Sequence, residues 1–170
     1  MAPLSLERIV VGVDGSQYGE NALSYGIDLT RRFGGRLTVL TVAPLTTFAA
    51  STEPWVPTEV LEGEVRHYQG ILDTAVKRAQ NGGVAQTTGV LLEGHVLEEI
   101  VGFLEKNPTD LLILGSHGRT AAKRILLGST SDAVLHHVNC PVLIVREPRP
   151  GSVPRPEPSP EGTGASDSHR

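Results

Sequence analysis

Short apolar runs alternate with longer segments of helical period along most of this chain. The runs are rich in Val, Ile and Leu, which is typical of strands buried on both faces of a parallel sheet. They lie at residues 8–13, 37–42, 87–92, 111–114 and 142–145. The pattern therefore predicts five β-strands, of which the third is the least apolar at its start.

Four segments between these runs carry apolar residues at helical spacing, at residues 16–33, 57–81, 96–105 and 129–137. The stripe of the second segment consists of Leu61, Val65, Tyr68, Leu72, Ala75 and Ala79. Glycine pairs end the first two helices, at 34–35 and 82–83. The alternation predicts an α/β fold of Rossmann-like type, with a single open five-stranded parallel sheet and helices on both faces.

Two segments lack this periodicity. Residues 43–56 contain Pro44 and Pro54, and we expect a long loop there. Residues 148–170 hold six of the twelve prolines with almost no large apolar side chain, so they cannot bury enough surface to offset their ordering entropy. The predicted organisation is one domain at 1–147 and a disordered Pro-rich C-terminal tail at 148–170.

Composition narrows the class of protein. A net charge of −4 over 170 residues gives no basic surface for nucleic acid, and no apolar run is long enough to cross a bilayer. Cys140 is the only cysteine, so an internal disulfide cannot form. The N-terminal residues lack the basic and apolar regions of a signal peptide. We expect a cytoplasmic protein that engages neither membranes nor nucleic acid.

The most informative segment follows the fourth apolar run. Gly115 and Gly118 enclose two residues, nine more separate Gly118 from Gly128, and Ser129 follows at once. Glycines let backbone N–H groups approach an anion closely, and a helix beginning near Ser129 would add the positive end of its dipole. That combination suits a polyphosphate. Alternatively, the segment is an ordinary strand-to-helix turn, in which Ser129 is only an N-cap and Asp132 closes a capping box.

The spacing Gly-x2-Gly-x9-Gly-Ser resembles the signature of ATP-binding universal stress proteins. Residues 11–16, Val-Gly-Val-Asp-Gly-Ser, and residues 140–145, Cys-Pro-Val-Leu-Ile-Val, extend the resemblance to roughly residues 6–147. It implies the strand order 3-2-1-4-5, ATP with Mg²⁺ or Mn²⁺ as the ligand, and a homodimer formed through residues 142–145. It also implies a stress-response regulator with protein partners that the sequence does not name.

The resemblance further implies a nucleotide site at the carboxyl ends of the strands. Asp14 would accept hydrogen bonds from a ribose hydroxyl or a base amine, or would only cap the following helix, and Val42 would offer backbone contacts to adenine. His117 would bind a phosphate or pack under the loop, and the residues from 128 to 131 would donate N–H and hydroxyl groups to phosphate oxygens. The predicted site consists of Val13, Asp14, Gly15, Val42, Leu114, Gly115, His117, Gly118, Arg119, Gly128, Ser129, Thr130 and Ser131.

Three classes of function remain open at this point. The first is a nucleotide-dependent sensor, the second a slow ATPase or nucleotidyl transferase, and the third an interaction module that binds no nucleotide. The sequence contains no His-Glu-x-x-His, no paired Cys-x-x-Cys and no Walker A lysine motif, so we predict neither a protein-held metal nor a catalytic residue. The complete glycine pattern favours the sensor.

Overall fold

A computed structural model describes residues 6–44, 57–118 and 127–146. Its elements, in chain order, are β1 (Arg8–Gly12), α1 (Gln17–Phe33), β2 (Arg36–Ala43), α2 (Thr58–Asn81), β3 (Thr87–Glu93), α3 (Val96–Lys106), β4 (Leu111–Gly115), α4 (Ser129–His137) and β5 (Val142–Val145). These bounds agree with the predicted elements to within one residue at each end. Most of the predicted loop and the whole predicted tail lie outside the described residues.

All strand pairs are parallel, and the sheet has the order β3-β2-β1-β4-β5. The chain therefore forms the doubly wound sheet that the alternation predicts, with the implied strand order. The order reverses between β1 and β4, because β1 pairs with both β2 and β4. In open parallel sheets, a crevice forms beyond the carboxyl ends of the strands at such a reversal.

Helices cover both faces of the sheet and enclose two cores. Helices α1 and α2 pack on the face that carries Ile9, Val11 and Leu37, whereas α3 and α4 pack on the face that carries Leu40 and Leu112. Successive strand side chains point to opposite faces, so the central strands are apolar at almost every position. This double burial explains the continuous apolar runs of the sequence.

An ion pair joins the amino ends of β1 and β4. The Asp110 carboxylate accepts hydrogen bonds from the backbone N–H groups of Glu7 (3.1 Å) and Arg8 (2.8 Å), and the Arg8 guanidinium contacts it at 2.6 Å. The hydrogen bond from the Arg8 side chain is the main cause that lowers the pKa of Asp110 below its ordinary value. The pair lies at the end of the sheet opposite the crevice.

Arg78 links α2 to α1. Its guanidinium donates to the Glu20 carbonyl oxygen (3.2 Å) and to the Ser24 hydroxyl (2.7 Å), and it forms an ion pair with the Glu20 carboxylate. A planar guanidinium can satisfy several acceptors at once, so these contacts join α2 to α1 at the surface of the protein.

Candidate functional site

A cavity of about 240 Å³ lies at the carboxyl ends of β1, β2 and β4. The described residues of the predicted site that line it are Val13, Asp14, Val42, Leu114, Gly115, His117, Gly118, Thr130 and Ser131. The structure thus brings most of the predicted residues together in one crevice. The lining residues that sequence reasoning missed are Gly12, Gly19, Leu40, Thr41, Pro44, Tyr68, Val96 and Ile100.

The other predicted residues lie beside the crevice or outside the described segments. Gly15 forms the turn after β1 at φ +78°, and a Cβ there would lie 2.9 Å from Ile71 of α2. Gly128 and Ser129 directly precede the lining residue Thr130, at the start of α4. Arg119 lies outside the described residues. Gly15 therefore contributes by shaping the turn, because its conformation favours glycine.

The Asp14 carboxylate lies between the start of α1 and Gly118. Its Oδ1 accepts hydrogen bonds from the backbone N–H (3.0 Å) and the hydroxyl (2.6 Å) of Ser16, whose own hydroxyl caps α1 by accepting from the Gly19 N–H (3.1 Å). A Cβ on Gly118 would lie 3.0 Å from Asp14 Oδ2. Asp14 therefore supports the helix cap and also borders the crevice, so the two roles left open by the sequence are compatible.

Strand β2 continues past the end of β1, and this overhang exposes main-chain groups. The pairing of the two strands ends at Gly12 and Leu40, while β2 runs on to Ala43. Along a parallel strand, both backbone groups of a residue point to the same neighbour, and the neighbour alternates. The Val13 N–H donates to the Leu40 carbonyl oxygen (2.9 Å), so the residue two positions later also faces the β1 side. The N–H and C=O of Val42 therefore point into the crevice.

The backbone of Val13, by contrast, is engaged in the fold. Its N–H bonds to Leu40, and its carbonyl oxygen accepts a hydrogen bond of 2.7 Å from the buried Thr41 hydroxyl. Val13 thus shapes the wall of the crevice, whereas the backbone groups of Val42 point into it.

Helix α4 begins at the opposite side of the crevice. Its N-cap is Gly128, with φ −68° and ψ 150°, and no side chain caps it. The alternative prediction that Ser129 is the N-cap is therefore wrong, because Ser129 is already the first helical residue. The first-turn N–H groups have no acceptor inside the helix and carry the positive end of its dipole. Thr130 and Ser131 of that turn line the crevice, so the positive end of the helix dipole borders it.

The hydroxyl of Ser131 bonds within the fold. It is buried and donates a hydrogen bond of 2.8 Å to the carbonyl oxygen of Gly115. Donation from this hydroxyl to a phosphate stays a prediction, and it would require the hydroxyl to leave Gly115. The backbone N–H of Ser131 is still part of the first turn of α4.

His117 lines the crevice just beyond β4 and packs against Tyr18. Its Nδ1 lies 3.0 Å from the Ser116 hydroxyl, and its ring centroid is 5.0 Å from that of Tyr18. Gly115 permits this packing, because a Cβ there would lie 2.7 Å from the backbone of Tyr18. The first turn of α1 and the end of β4 are thereby in close contact.

The two ends of the crevice differ in the chemical groups that they offer to a small molecule. One end offers a backbone donor and acceptor beside apolar side chains, and the other offers helix N–H groups and the exposed Thr130. Within the described segments, His, Cys, Asp and Glu side chains form no group of three or more that could hold a metal ion. Nor does any helix of those segments combine the length and apolar character needed to cross a membrane. The geometry suits a flat, polar-edged ring joined to an anion.

Solved structures share this fold. A universal stress protein UspA from Lactobacillus plantarum superposes with a TM-score of 0.72 at 22% identity, covering 83% of this chain and 98% of that one. Two others were solved with nucleotides. One, in complex with cAMP, has a TM-score of 0.62 at 22% identity and covers 84% of this chain and 98% of its own. The other, from Archaeoglobus fulgidus in complex with dAMP, has a TM-score of 0.61 at 21% identity and covers 82% and 98%.

Sequence comparison extends the likeness beyond the fold. A universal stress protein of Methanocaldococcus jannaschii is 34% identical over 146 residues, which are 84% of each chain. The universal stress protein YxiE of Bacillus subtilis is 31% identical over 147 residues, which are 82% of this chain and 98% of that one. The sequence profile of the universal stress protein family matches residues 5–146. The chain therefore belongs to the universal stress protein family.

Proposed function

We propose that this protein binds ATP with Mg²⁺ or Mn²⁺ in the crevice, and that the bound nucleotide controls its interaction with protein partners in a stress response. The observation that carries the proposal is the pairing of the Val42 backbone edge with the N-terminus of α4 across one cavity. The cAMP and dAMP complexes of two structural neighbours support an adenine nucleotide as the ligand.

The base occupies the end formed by the β2 overhang. Adenine presents an amino donor next to a ring-nitrogen acceptor, which complements the C=O and N–H of Val42. Apolar side chains of the crevice, such as Val96 and Ile100 of α3, cover one face of the ring. Main-chain recognition of this kind distinguishes adenine from a base whose edge carries the reverse order of donor and acceptor.

The phosphates occupy the end formed by α4 and the glycine loop. N–H groups of the first turn of α4, which have no acceptor within the helix, stabilise negative charge, and Gly118 leaves room for phosphate oxygens. Mg²⁺ retains much of its water and is commonly held by nucleotide phosphates, so a cage of several protein carboxylates is not required. Asp14 lines the same cavity, and its carboxylate accepts a hydrogen bond from a ribose hydroxyl in this proposal.

Calorimetric titration of the purified protein with ATP and Mg²⁺ tests the nucleotide site, with Gly118→Asp as the disruptive variant. The new Cβ would press on Asp14 Oδ2, and the new carboxylate would repel both Asp14 and phosphate. Gly70→Asp is the matched control, because nothing lies within 4 Å of a Cβ at that exposed helical position.

Binding by the parent and by Gly70→Asp, but not by a folded Gly118→Asp, is the expected result. Absence of binding by nucleotide-free parent protein would overturn the proposal and leave a nucleotide-independent interaction module. Measurement of ATP turnover by the protein that binds then separates a sensor from a slow ATPase.

We also propose a homodimer through β5, which is an edge strand of the sheet. Leu112 donates from its N–H to the carbonyl oxygen of Pro141, so Val142 and Ile144 turn their backbone groups away from β4. An apolar edge with unpaired backbone groups favours pairing with a second copy.

Light scattering after size-exclusion chromatography tests the dimer with two proline variants. Ile144→Pro removes an outward N–H and should yield a folded monomer, because edge strands tolerate proline where the N–H faces solvent. Leu143→Pro removes an N–H that faces β4 and should destabilise the fold itself. A monomeric parent protein at micromolar concentration would contradict the proposed dimer.

A further inference from the structure

Tyr68 is buried on α2 but belongs to neither core of the described residues. Leu72, Ala75 and Ala79 continue its stripe and pack in the first core, whereas Tyr68, only 5% exposed, lines the crevice. One turn away, Ile71 contacts the turn at Gly15. The middle of α2 therefore stands over the turn after β1, and Tyr68 borders the cavity instead of the core.

The overhang of β2 lies between Tyr68 and α3. Side chains of Leu37 and Val39 point to the face covered by α1 and α2, whereas Val42 belongs to the core of the opposite face. Val96 of α3 lines the crevice on that opposite face. A flat ring bonded to the Val42 backbone edge would consequently have the Tyr68 ring on one side and an aliphatic side chain on the other.

We propose that the ring of Tyr68 forms the stacking wall of the base pocket and makes it a specificity-determining residue that favours purine over pyrimidine nucleotides. This inference rests on the proposed nucleotide site. A purine has two fused rings and overlaps an aromatic wall more than a pyrimidine does, and stacking on an aromatic side chain strengthens binding substantially. The ring face carries this role, so phenylalanine, which keeps the ring, should keep the preference for purine.

Core packing holds this wall in place. Leu72, Ala75 and Ala79 follow Tyr68 on the same face of α2 and are buried in the first core. The distance between Tyr68 and the β2 overhang is therefore set by helix packing before any ligand arrives. A preorganised aromatic wall needs no rearrangement to accept a flat ring, and a purine gains more from it because its face is larger.

Titration with ATP and with CTP, each with Mg²⁺, tests the inference on the parent protein and on Tyr68→Phe and Tyr68→Leu. Tyr68→Leu should weaken ATP binding about tenfold and CTP binding by less, so that the ratio of the two affinities falls severalfold. Tyr68→Phe should keep that ratio. Tyr25→Leu is the control, because Tyr25 is exposed on α1 and does not line the crevice.

The outcomes separate this inference from the proposed function. If the parent protein binds no nucleotide, the proposed function fails. If it binds ATP and a folded Tyr68→Leu keeps the parent ratio of affinities, only the role of Tyr68 fails. Should Tyr68→Leu not fold, nuclear Overhauser effects between adenine protons and the Tyr68 ring of the parent decide the matter. These effects can be assigned to Tyr68 because they change in Tyr68→Phe. If they are present, they support the stacking role of Tyr68, and if they are absent, that role is overturned.

Discussion

The Ser131 hydroxyl donates a hydrogen bond of 2.8 Å to the carbonyl oxygen of Gly115, and both residues are buried. The bond joins the first turn of α4 to the last residue of β4. It fixes the direction in which the N-terminus of α4 points, and therefore where its first-turn N–H groups meet the crevice.

Removal of this hydroxyl should destabilise the protein. In Ser131→Ala the Gly115 carbonyl oxygen loses its side-chain partner in a buried place, and we expect a loss of about 1 to 3 kcal/mol in the free energy of unfolding. Ser129→Ala is the matched control, since Ser129 is exposed in the same turn and its loss should change stability by less than about 0.5 kcal/mol. Urea denaturation of the two variants measures the difference. Equal unfolding free energies of Ser131→Ala and Ser129→Ala would show that the hydrogen bond from Ser131 to Gly115 contributes nothing to stability.

Two glycine-to-alanine variants should act in opposite directions. At Gly115 a Cβ would lie 2.7 Å from the backbone of Tyr18, which cannot move without shifting α1, so we expect a loss of about 1 to 3 kcal/mol. At Gly70 nothing lies within 4 Å, and alanine should stabilise α2 by about 0.5 to 1 kcal/mol. Thermal unfolding midpoints on either side of the parent value are the expected result. A stable Gly115→Ala would contradict the close packing of β4 on α1.

The contribution of Asp110 to stability should depend on pH. The hydrogen bond from Arg8 holds the pKa of Asp110 below its ordinary value, so the contribution is fully present above the unfolded pKa of about 3.9 and is lost as pH falls through the lower folded pKa. Asp110→Asn removes the charge. The unfolding free energies of parent and variant should therefore differ at neutral pH and converge in acid. A difference between the two unfolding free energies that stays constant down to the lowest accessible pH would refute this role of the Asp110 charge.

Cys140 should react slowly with alkylating reagents in the folded state. Burial raises the pKa of its thiol, which reduces the thiolate fraction at neutral pH, and the thiolate is the nucleophile. Because the chain has a single cysteine, the mass of the intact protein reports this site alone. Labelling of folded protein should be several-fold slower than labelling of denatured protein, and the gap should narrow in alkali. Equal rates at neutral pH would contradict the burial of the thiol.

The fold was largely predictable because its elements follow simple periods. Strand β4, for example, is buried at every position, so its apolar run from Leu111 marks both the strand and its burial. Strand order is not encoded in periodicity. It entered through the resemblance at residues 11–16 and 115–129, and the observed pairing of β1 with β4 confirms it.

The site was predictable only where a motif marked it. The stripe that contains Tyr68 and Leu72 has the same spacing whether a side chain enters the core or the crevice, so the sequence assigns both to the core. Tyr68 reaches the crevice and Leu72 the core because β1 ends beneath α2 between them. The position of that end relative to α2 cannot be predicted from a local sequence pattern. The use of the Ser131 hydroxyl was missed for a similar reason, because its partner at Gly115 depends on the path of the chain between them.

The overhang of β2 beyond Leu40 has a consequence for how such a site changes over time. An edge made of main-chain groups is indifferent to the side chain that carries it, so another β-branched residue at Val42 would leave it intact. Insertion of one residue into β2 would instead turn that edge toward β3. The donor and acceptor that the crevice presents therefore depend on the register of the sheet, and they can persist while the surrounding side chains diverge.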